Sequence, residues 1–516
     1  CPCTWGTSSV YRCSSLGFLF WCDPIALNLV PRRKSDNLNN CINWLVVWKL
    51  SLLFVLGSLA CDTHANAAPE DSSRLITVNR ILIVGNKITR DRIITRELSV
   101  KSGDTLRFYQ LRAFLPLDRN KIYNLRLFNT VEIRALEIGP GQIDLLVEVS
   151  ERWYTFPLPI FELSDRNFNE WVQNYNADLS RVNYGIKLYQ YNFRGRNETL
   201  KIGAQFGFSR EFDLSYRIPN LDRQQKHGLR FDLGYSEPKN LAYFTNDHKL
   251  EFLRLDQSVR VSRSASITYS YRRNFYQTHS FSVGYRNADI IDSLPKLNPN
   301  YYTNGATKQQ YLTLTYSFDF NRQDVFAYPL NGFRFYAFLS QNGFTTDRGV
   351  KQTEVNLTYA RYLNLGKNFY LSNFTAGYWS NPARQPYSLY AALGYGNQFI
   401  RGYEIYVVEG SQFLINKTTL KKRIFSRTWR LERMPLEQFR HFPLSIYWKV
   451  YGDIGRVENY PQYEEENINQ RLSNRFLAGW GSGLDLVLAY DAVIRLEYTF
   501  TRESTQGFFF HLKKEF

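Results

Sequence analysis

The chain has 516 residues, a mean hydropathy of −0.39 and a formal net charge of +17. This hydropathy is too polar for a bundle of membrane-spanning helices, and the length is too great for one small domain. Aromatic residues make up 16% of the chain and methionine occurs only once, as Met434, which favours β-sheet over helical packing and excludes a disordered chain.

The N-terminal segment differs in composition from the rest of the chain. All six cysteines lie in the first 61 residues. This split predicts a leader that is removed, followed by a chain that uses no disulfide, no catalytic thiolate and no cysteine-bound metal. Because the sequence does not begin with methionine, we expect residues 1–41 to be a fragment or an over-extended reading frame.

A signal peptide is predicted from the residues that follow. Lys49 precedes an apolar segment from Leu50 to Ala60, and Ala65-Asn66-Ala67 offers the small residues that signal peptidase requires. We therefore predict a leader over residues 1–67, with cleavage after Ala67. An uncleaved anchor helix is the alternative, but this apolar segment is shorter than the roughly 20 residues that span a bilayer. Lipidation of Cys61 is a weaker alternative, because no leucine stands at the expected position before it.

The basic charge remains after the leader is subtracted. Residues 1–67 contain five basic and three acidic residues, so the net charge falls from +17 to +15. For an exported chain, we expect this charge to meet anionic lipid headgroups or client polypeptides and no nucleic acid.

Residues 75–152 predict a small α+β domain. Thr77–Val84 reads as a strand that ends at Gly85-Asn86, and Thr89 is positioned to cap the helix that follows. A second helix is predicted from the apolar spacing after Leu106. Two strands, Val131–Leu136 and Ile143–Val149, complete a β-α-α-β-β order.

This order resembles a POTRA domain, the periplasmic module of outer-membrane assembly and secretion barrels. The matching segments are Ile83-Val84-Gly85-Asn86, Arg96-Glu97-Leu98, Leu127-Phe128-Asn129 and Glu148-Val149-Ser150-Glu151-Arg152. A ferredoxin-like α+β domain of another purpose is the alternative.

Residues 153–516 alternate between apolar and polar side chains in one segment after another. Leu312, Leu314 and Tyr316, for example, are separated by Thr313 and Thr315. Segments of about ten residues with one apolar and one polar face are typical of membrane-spanning barrels with a wet interior. The predicted fold class is therefore mainly β: a C-terminal transmembrane antiparallel β-barrel of about 16 strands, preceded by one α+β domain. Eighteen strands also fit this length. A soluble β-sandwich is the alternative, but it predicts a more aliphatic inner face.

Arg401-Gly402-Tyr403 stands in a long segment that alternates poorly, and Asp453-x-Gly455 follows in a predicted strand. These motifs, with Gly479-Trp480-Gly481-Ser482-Gly483-Leu484-Asp485, resemble the BamA/TamA-type outer-membrane assembly superfamily, whose barrel is the bacterial surface antigen barrel. The resemblance implies that Arg401, Gly402 and Tyr403 lie on a loop folded into the lumen. It also implies that Asp453 is the acidic wall residue that Arg401 contacts. An arginine fork on a carboxylate is directional enough to hold such a loop.

The first predicted barrel strand contains Pro157 and Pro159. The N–H groups of residues i and i+2 face the same neighbouring strand, so both missing donors fall on one edge. We interpret Pro157, Pro159 and Gly507 as parts of a weak lateral seam where client strands pair. The alternative is that the prolines only mark the domain junction.

The C-terminus carries Phe508, Phe510, Leu512 and Phe516. This pattern resembles the C-terminal signal by which assembly machinery recognises an outer-membrane barrel through strand addition. An ordinary last strand is compatible with the same pattern.

Enzymatic and metal-binding signals are weak. The six histidines show no metal spacing, and neighbours such as His279 and Ser280 would point to opposite faces of a strand. Glu464-Glu465-Glu466 reads as a solvated loop, with a cation site as the alternative. We expect no catalytic residues, no cofactor and no bound metal.

The resemblance implies an outer-membrane protein, with its POTRA domain in the periplasm, that inserts or assembles other outer-membrane proteins. Its partners would be unfolded clients, outer-membrane lipids and accessory lipoproteins. A two-partner-type secretion pore is the first alternative, although such pores usually have two POTRA domains and a plug helix. A passive diffusion channel is the second alternative.

Overall fold

The computed structural model describes residues 73–163, 182–345, 350–394 and 398–512. The predicted leader, its cleavage point and Phe516 lie outside these residues. The described residues contain an N-terminal domain built on a four-stranded sheet and a following sheet of 16 strands. None of the helices in this part of the chain is both long and apolar enough to span a bilayer.

The N-terminal domain places two helices against a mixed four-stranded sheet, in which the strands lie in the order second, first, fourth and third of the chain and the first and fourth are parallel. Its core contains Ile93, Leu111, Ile122 and Val147, each at most 1% exposed, because the helices and the sheet turn their apolar faces toward each other. The elements are β1 (Leu75–Val84), α1 (Asp91–Thr95), β2 (Thr105–Arg107), α2 (Phe108–Asn124), β3 (Phe128–Gly139) and β4 (Gln142–Glu151).

Two details of this domain differ from the sequence prediction. A short strand, β2, separates the two helices and pairs with β1, so the order is β-α-β-α-β-β. Thr89 does not cap α1, whose N-cap is Arg90. Its hydroxyl instead donates to Glu151 at 2.6 Å and receives a hydrogen bond from Asn192. Thr89 therefore joins the domain to the barrel.

The barrel is a 16-stranded antiparallel sheet in which neighbouring strands follow one another in chain order, and in the described residues the first and last strands each pair on one side only. The ring of Phe156 lies 5.9 Å from that of Tyr490, so the beginning of the first strand approaches the last turns. The prediction of about 16 strands is thus confirmed. The strands are β5 (Thr155–Leu163), β6 (Val182–Phe193), β7 (Glu198–Gly207), β8 (Arg210–Ile218), β9 (His227–Glu237), β12 (Arg260–Arg272), β13 (Gln277–Ile290), β14 (Lys308–Asn321), β15 (Gly332–Thr345), β16 (Val350–Gly366), β17 (Phe369–Asn381), β20 (Gln412–Arg430), β21 (His441–Glu458), β22 (Phe476–Val487), β23 (Val493–Thr501) and β24 (Gln506–Leu512).

The outer surface of this sheet is apolar because alternate side chains point outward. On β13, Phe281, Val283 and Tyr285 are 43–55% exposed, and Ser282 and Gly284 occupy the inner face between them. The same alternation continues on the neighbouring strands. An apolar outer face around a polar interior suits a barrel in lipid.

The smaller elements lie in the connections at the barrel end away from the N-terminal domain. One connection contains a two-stranded hairpin, and another connection folds into the lumen and contains two residue pairs in strand conformation. These elements are β10 (Asn240–Asn246), β11 (Lys249–Arg254), α3 (Ser293–Leu297), β18 (Ala392–Leu393), β19 (Val408–Glu409) and α4 (Pro461–Glu466).

The N-terminal domain is docked on the turns at the other end of the barrel. Glu97 accepts two hydrogen bonds from Arg272, at 2.7 and 2.9 Å. Arg152 donates to both carboxylate oxygens of Asp491, at 3.1 and 3.2 Å. Asn124 donates to the carbonyl of Asp324 at 2.9 Å. Contacts to turns from three separate parts of the barrel fix the domain across this end.

Candidate functional site

The described residues of the connection between β17 and β20, 382–394 and 398–411, are called the lumen loop. Arg401 on this loop is 5% exposed, and Asp453 on the inner face of β21 is 4% exposed. Trp448, on the opposite face of β21, is 43% exposed. The loop therefore crosses the barrel interior, where its polar groups require partners from the wall.

Arg401 and Asp453 form the contact that the sequence resemblance implied. The Nε and Nη2 atoms of Arg401 donate to the two carboxylate oxygens of Asp453 at 2.8 and 2.5 Å. The backbone N–H of Arg401 also donates to Asp453, at 3.1 Å. A fork of parallel charge-assisted hydrogen bonds fixes the orientation of both groups as well as their distance.

Three further wall groups surround the Arg401 guanidinium. It donates to the hydroxyl of Thr419 on β20 at 3.1 Å and lies 3.5 Å from a carboxylate oxygen of Glu497 on β23. The ring of Tyr451 lies below it, 3.8 Å from ring centroid to Cζ. One side chain of the lumen loop thus contacts three strands.

Gly402 and Gly455 leave the space that this close packing needs. Gly402 has φ +94°, and a Cβ there would lie 2.4 Å from Cγ2 of Thr501. A Cβ on Gly455 would lie 2.7 Å from Cδ1 of Ile400, and one on Gly479 would lie 1.9 Å from the carbonyl oxygen of Arg401. Glycine is required at these positions because the loop backbone lies directly on the wall.

Tyr403, the next residue of the loop, is also anchored to the barrel. Its side chain is buried, and its hydroxyl donates to the carboxylate of Glu503, in the turn between β23 and β24. The three residues of the Arg401-Gly402-Tyr403 motif therefore contact the wall together.

A network of buried charges adjoins the motif, and no role was predicted for its members Lys449, Asp485 and Glu497. Lys449 on β21 lies 2.5 Å from Asp485 on β22 and 2.8 Å from Glu497, and all three side chains are 1% exposed. Arg495 lies 3.7 Å from Asp485. The alternation of side chains along a strand could have indicated Lys449, because it shares one face of β21 with Tyr451 and Asp453. We call Arg401, Asp453, Lys449, Asp485 and Glu497 the lumen charge cluster.

The first strand presents its prolines at the open edge of the sheet. The N–H of Tyr191 donates to the carbonyl of Tyr154, which stands directly opposite in the register of β5 and β6. Hydrogen-bonded pairs alternate along an antiparallel ladder, so the backbone groups of Pro157 and Pro159 point away from β6. In the described part of the chain, β5 pairs only with β6 and β24 pairs only with β23. Both missing donors therefore lie on the seam side.

The last strand forms the other side of this seam. The N–H of Thr501 donates to the carbonyl of Thr505, which sets the parity of the β23–β24 ladder. Phe508, Phe510 and Leu512 consequently direct their backbone groups away from β23, and their side chains are 61–67% exposed on the outer face. Gly507 lies on the same strand, but its backbone points toward β23 and not into the seam.

One trio of side chains has the composition of a metal site. Single ligand atoms of Glu404, Glu497 and His511 lie within 4.8 Å of one another. Glu497, however, already lies 2.8 Å from Lys449 and 3.5 Å from Arg401, so two cations compete for its charge. This competition disfavours a divalent ion, and no metal role is assigned to the trio.

The weaker sequence candidates lie apart from the lumen site. Glu464, Glu465 and Glu466 are exposed, as predicted, but they end the helix α4 and do not form a loop. Glu465 forms an exposed ion pair with Arg384, and Glu464 accepts a hydrogen bond from Asn474. His279 lies on the outer face of β13 against Tyr316, whereas Ser280 lines an internal cavity.

Family models match both domains of the chain. Residues 76–152 match the POTRA model, described as "Surface antigen variable number repeat", and residues 192–516 match the Omp85 superfamily domain. Among solved structures, BamA from Haemophilus ducreyi lacking POTRA domains 1–3 is 14% identical, with 85% of this chain and 83% of that chain covered and a TM-score of 0.46. CdiB from Escherichia coli is 11% identical, with 85% and 74% covered and a TM-score of 0.49. A search of curated proteins found no match. The Omp85 match spans more than half of the chain, and the chain therefore belongs to the Omp85 superfamily.

Proposed function

We propose that this protein inserts or assembles other β-barrel proteins in the bacterial outer membrane, with its POTRA domain in the periplasm. Membership of the Omp85 superfamily and the apolar outer face of the barrel support this proposal. The observation that carries it is the seam: in the described part of the chain, β5 and β24 each have one unpaired backbone edge, and β5 carries two prolines on that edge.

The seam is intrinsically weaker than the other strand pairs. Each proline removes one N–H donor, and an intramolecular hydrogen bond contributes about 0.5–1.5 kcal/mol. The carbonyl groups of Pro157 and Pro159 remain available to donors on an incoming strand. A client strand that inserts between β5 and β24 would therefore displace little existing pairing and gain hydrogen bonds on both of its sides.

The POTRA sheet offers a second open edge for capturing a client. β3 is the outer strand of the sheet order and pairs only with β4 in the described residues. Its outward side chains Leu136 and Ile138 are 42% and 48% exposed. An extended, unfolded client would bind there by strand addition before it reaches the barrel. Outer-membrane lipids and accessory lipoproteins complete the proposed partners.

The proposed activity needs no covalent chemistry, no cofactor and no metal, because strand exchange between edges is sufficient. A two-partner-type secretion pore uses the same domains in another way: the client crosses the lumen and not the seam. The lumen loop crosses this interior and is fixed there by Arg401 and Asp453, which favours the lateral route.

A disulfide lock across the seam tests the proposal. No cysteine occurs after residue 61, so Leu158→Cys can be combined in turn with Gly507→Cys, Phe509→Cys or His511→Cys without competing thiols. The assay measures the folding of an unfolded client barrel, as a protease-resistant band, into vesicles that contain the protein. We expect the oxidised lock to abolish stimulation and reduction to restore it.

A disulfide within a fully paired part of the sheet is the control. Ser282 and Thr315 stand directly opposite each other on β13 and β14, away from the seam. We expect Ser282→Cys/Thr315→Cys to leave stimulation unchanged when oxidised. Unchanged stimulation by an oxidised seam lock would reject insertion through the seam.

A further inference from the structure

A cavity of about 680 Å³ lies between the POTRA domain and the inner wall of the barrel. Both domains contribute to its lining, and the described lining residues include five arginines and two acidic side chains. The charged lining residues are Arg96, Glu97 and Arg126 of the POTRA domain and Arg217, Arg272, Asp319 and Arg334 of the barrel.

Both carboxylates of the lining are already occupied by arginine forks. Glu97 accepts hydrogen bonds from Arg272 at 2.7 and 2.9 Å. Asp319 accepts hydrogen bonds from Arg334 at 2.9 and 3.0 Å. Among the described lining residues, two carboxylates thus face five arginines: Arg96 also lies 3.6 Å from Glu97, and Arg126 lies 3.5 Å from Asp491 outside the lining.

Arg217 on β8 has no carboxylate partner among the described residues. Its side chain forms no hydrogen bond or ion pair with any of them, and the charges that act on it belong to Arg230 and Arg272, which already pair with Asp232 and Glu97. Its side chain is exposed to the lumen. An arginine held among other arginines is unfavourable unless an anion joins them.

Arg96 provides the opposing group on the POTRA side. Its guanidinium donates to Asn220 at 2.5 Å and lies 3.6 Å from Glu97. Burial, reinforced by repulsion from Arg272, lowers the pKa of Arg96 to about 10. Glu97 therefore serves two arginines, Arg96 and Arg272, on this side of the cavity.

We propose that this cavity binds a phosphate-bearing anion through Arg217 and Arg96. Guanidinium forks match phosphate oxygens in geometry and charge, and the cavity volume lies within the range of small-ligand sites. Because the two arginines belong to different domains, the bound anion joins them and stabilises the docked POTRA domain. The site does not depend on the insertion activity proposed above.

Binding of inorganic pyrophosphate to the full chain in zwitterionic nanodiscs tests this site. Calorimetric titrations at constant ionic strength compare pyrophosphate with chloride, and dihexanoyl phosphatidylglycerol is titrated separately as a lipid headgroup. We expect saturable binding of a phosphate compound. If the two compounds compete, the site also accepts a phospholipid headgroup. If only pyrophosphate binds, the natural ligand is a soluble phosphate compound.

Two substitutions locate the binding. Arg217→Gln and Arg96→Gln should each weaken binding by about tenfold or more, since each removes a charge-assisted contact. Arg263→Gln is the control, because Arg263 lies at the other end of β12 and pairs with Asp289. The difference in electrophoretic migration between heated and unheated samples verifies that each variant is folded. The proposal is overturned if neither phosphate compound binds better than chloride, or if Arg217→Gln and Arg263→Gln bind equally.

Discussion

The Arg401–Asp453 contact gives the sharpest test of how the lumen loop is held. Replacing Arg401 by leucine removes the arginine fork from Asp453, whose side chain is fully buried, and removes one of the two cations near Glu497. Breaking a buried ion pair by removing one partner costs about 3–5 kcal/mol. We expect Arg401→Leu and Asp453→Leu each to lower the free energy of unfolding by an amount in this range.

A double-mutant cycle separates the contact from the other effects of each substitution. The double variant Arg401→Leu/Asp453→Leu leaves neither charge of the pair unmatched, so its loss should be smaller than the sum of the single losses. Residues that share a network typically couple by about 0.5–3 kcal/mol, and two short hydrogen bonds place this pair near the upper value. Urea unfolding in detergent micelles, followed by tryptophan fluorescence, measures each free energy.

An exposed ion pair provides the control for this cycle. Arg430 lies 3.0 Å from Glu432, and both side chains are more than 60% exposed. Arg430→Leu should therefore leave the unfolding midpoint unchanged, because exposed pairs contribute little. A coupling energy below about 0.5 kcal/mol for Arg401 and Asp453 would refute the conclusion that this contact holds the loop.

Three further predictions follow from other parts of the molecule. Gly455→Ala should loosen the lumen loop and expose it to protease, whereas Gly452→Ala on the same strand should not, because a Cβ at Gly452 meets nothing within 4 Å. Burial lowers the pKa of His248, in the β10–β11 turn, to about 4, and its Nε2 accepts a hydrogen bond from the N–H of Leu472. The imidazole is protonated at a higher pH in the unfolded state than in the folded state, so the loops should lose roughly 3 kcal/mol of stability as the pH falls from 6.5 to 4. Limited proteolysis should show this loss in the parent chain but not in His248→Phe. Glu97→Gln should undock the POTRA domain and reduce several-fold the cross-linking of Lys87→Cys to Glu437→Cys by a short bismaleimide, whereas the exposed POTRA substitution Arg134→Gln should not.

The elements predicted best from the sequence are those determined by local patterns. Period-two alternation identified the barrel strands, because lipid and lumen impose opposite preferences on successive residues. The POTRA strands were found in the same way, with β3 and β4 extending beyond the predicted bounds. β2 was missed because its three residues depend on pairing with β1, not on their own pattern.

Contacts between residues far apart in the chain were harder to predict from the sequence. Glu97 and Arg272 are 175 positions apart, and no local pattern in either segment indicates that they meet. The Arg401–Asp453 contact was reached only through the resemblance to a family. The seam prolines were visible in the sequence, but the side of β5 that they face became known only from the register with β6.

The lumen loop and the seam together determine which side of the barrel can move. Wall groups on β20, β21 and β23 hold Arg401, and the ring of Phe399 stacks on His511 of β24 at 5.6 Å. The last strands are thus joined by the loop as well as by their backbone ladders. On the other side of the seam, β5 carries the two prolines and pairs only with β6 in the described residues. If the seam opens, β24 should therefore stay with the lumen loop while β5 moves, because separation at β5 breaks no contact of the lumen charge cluster.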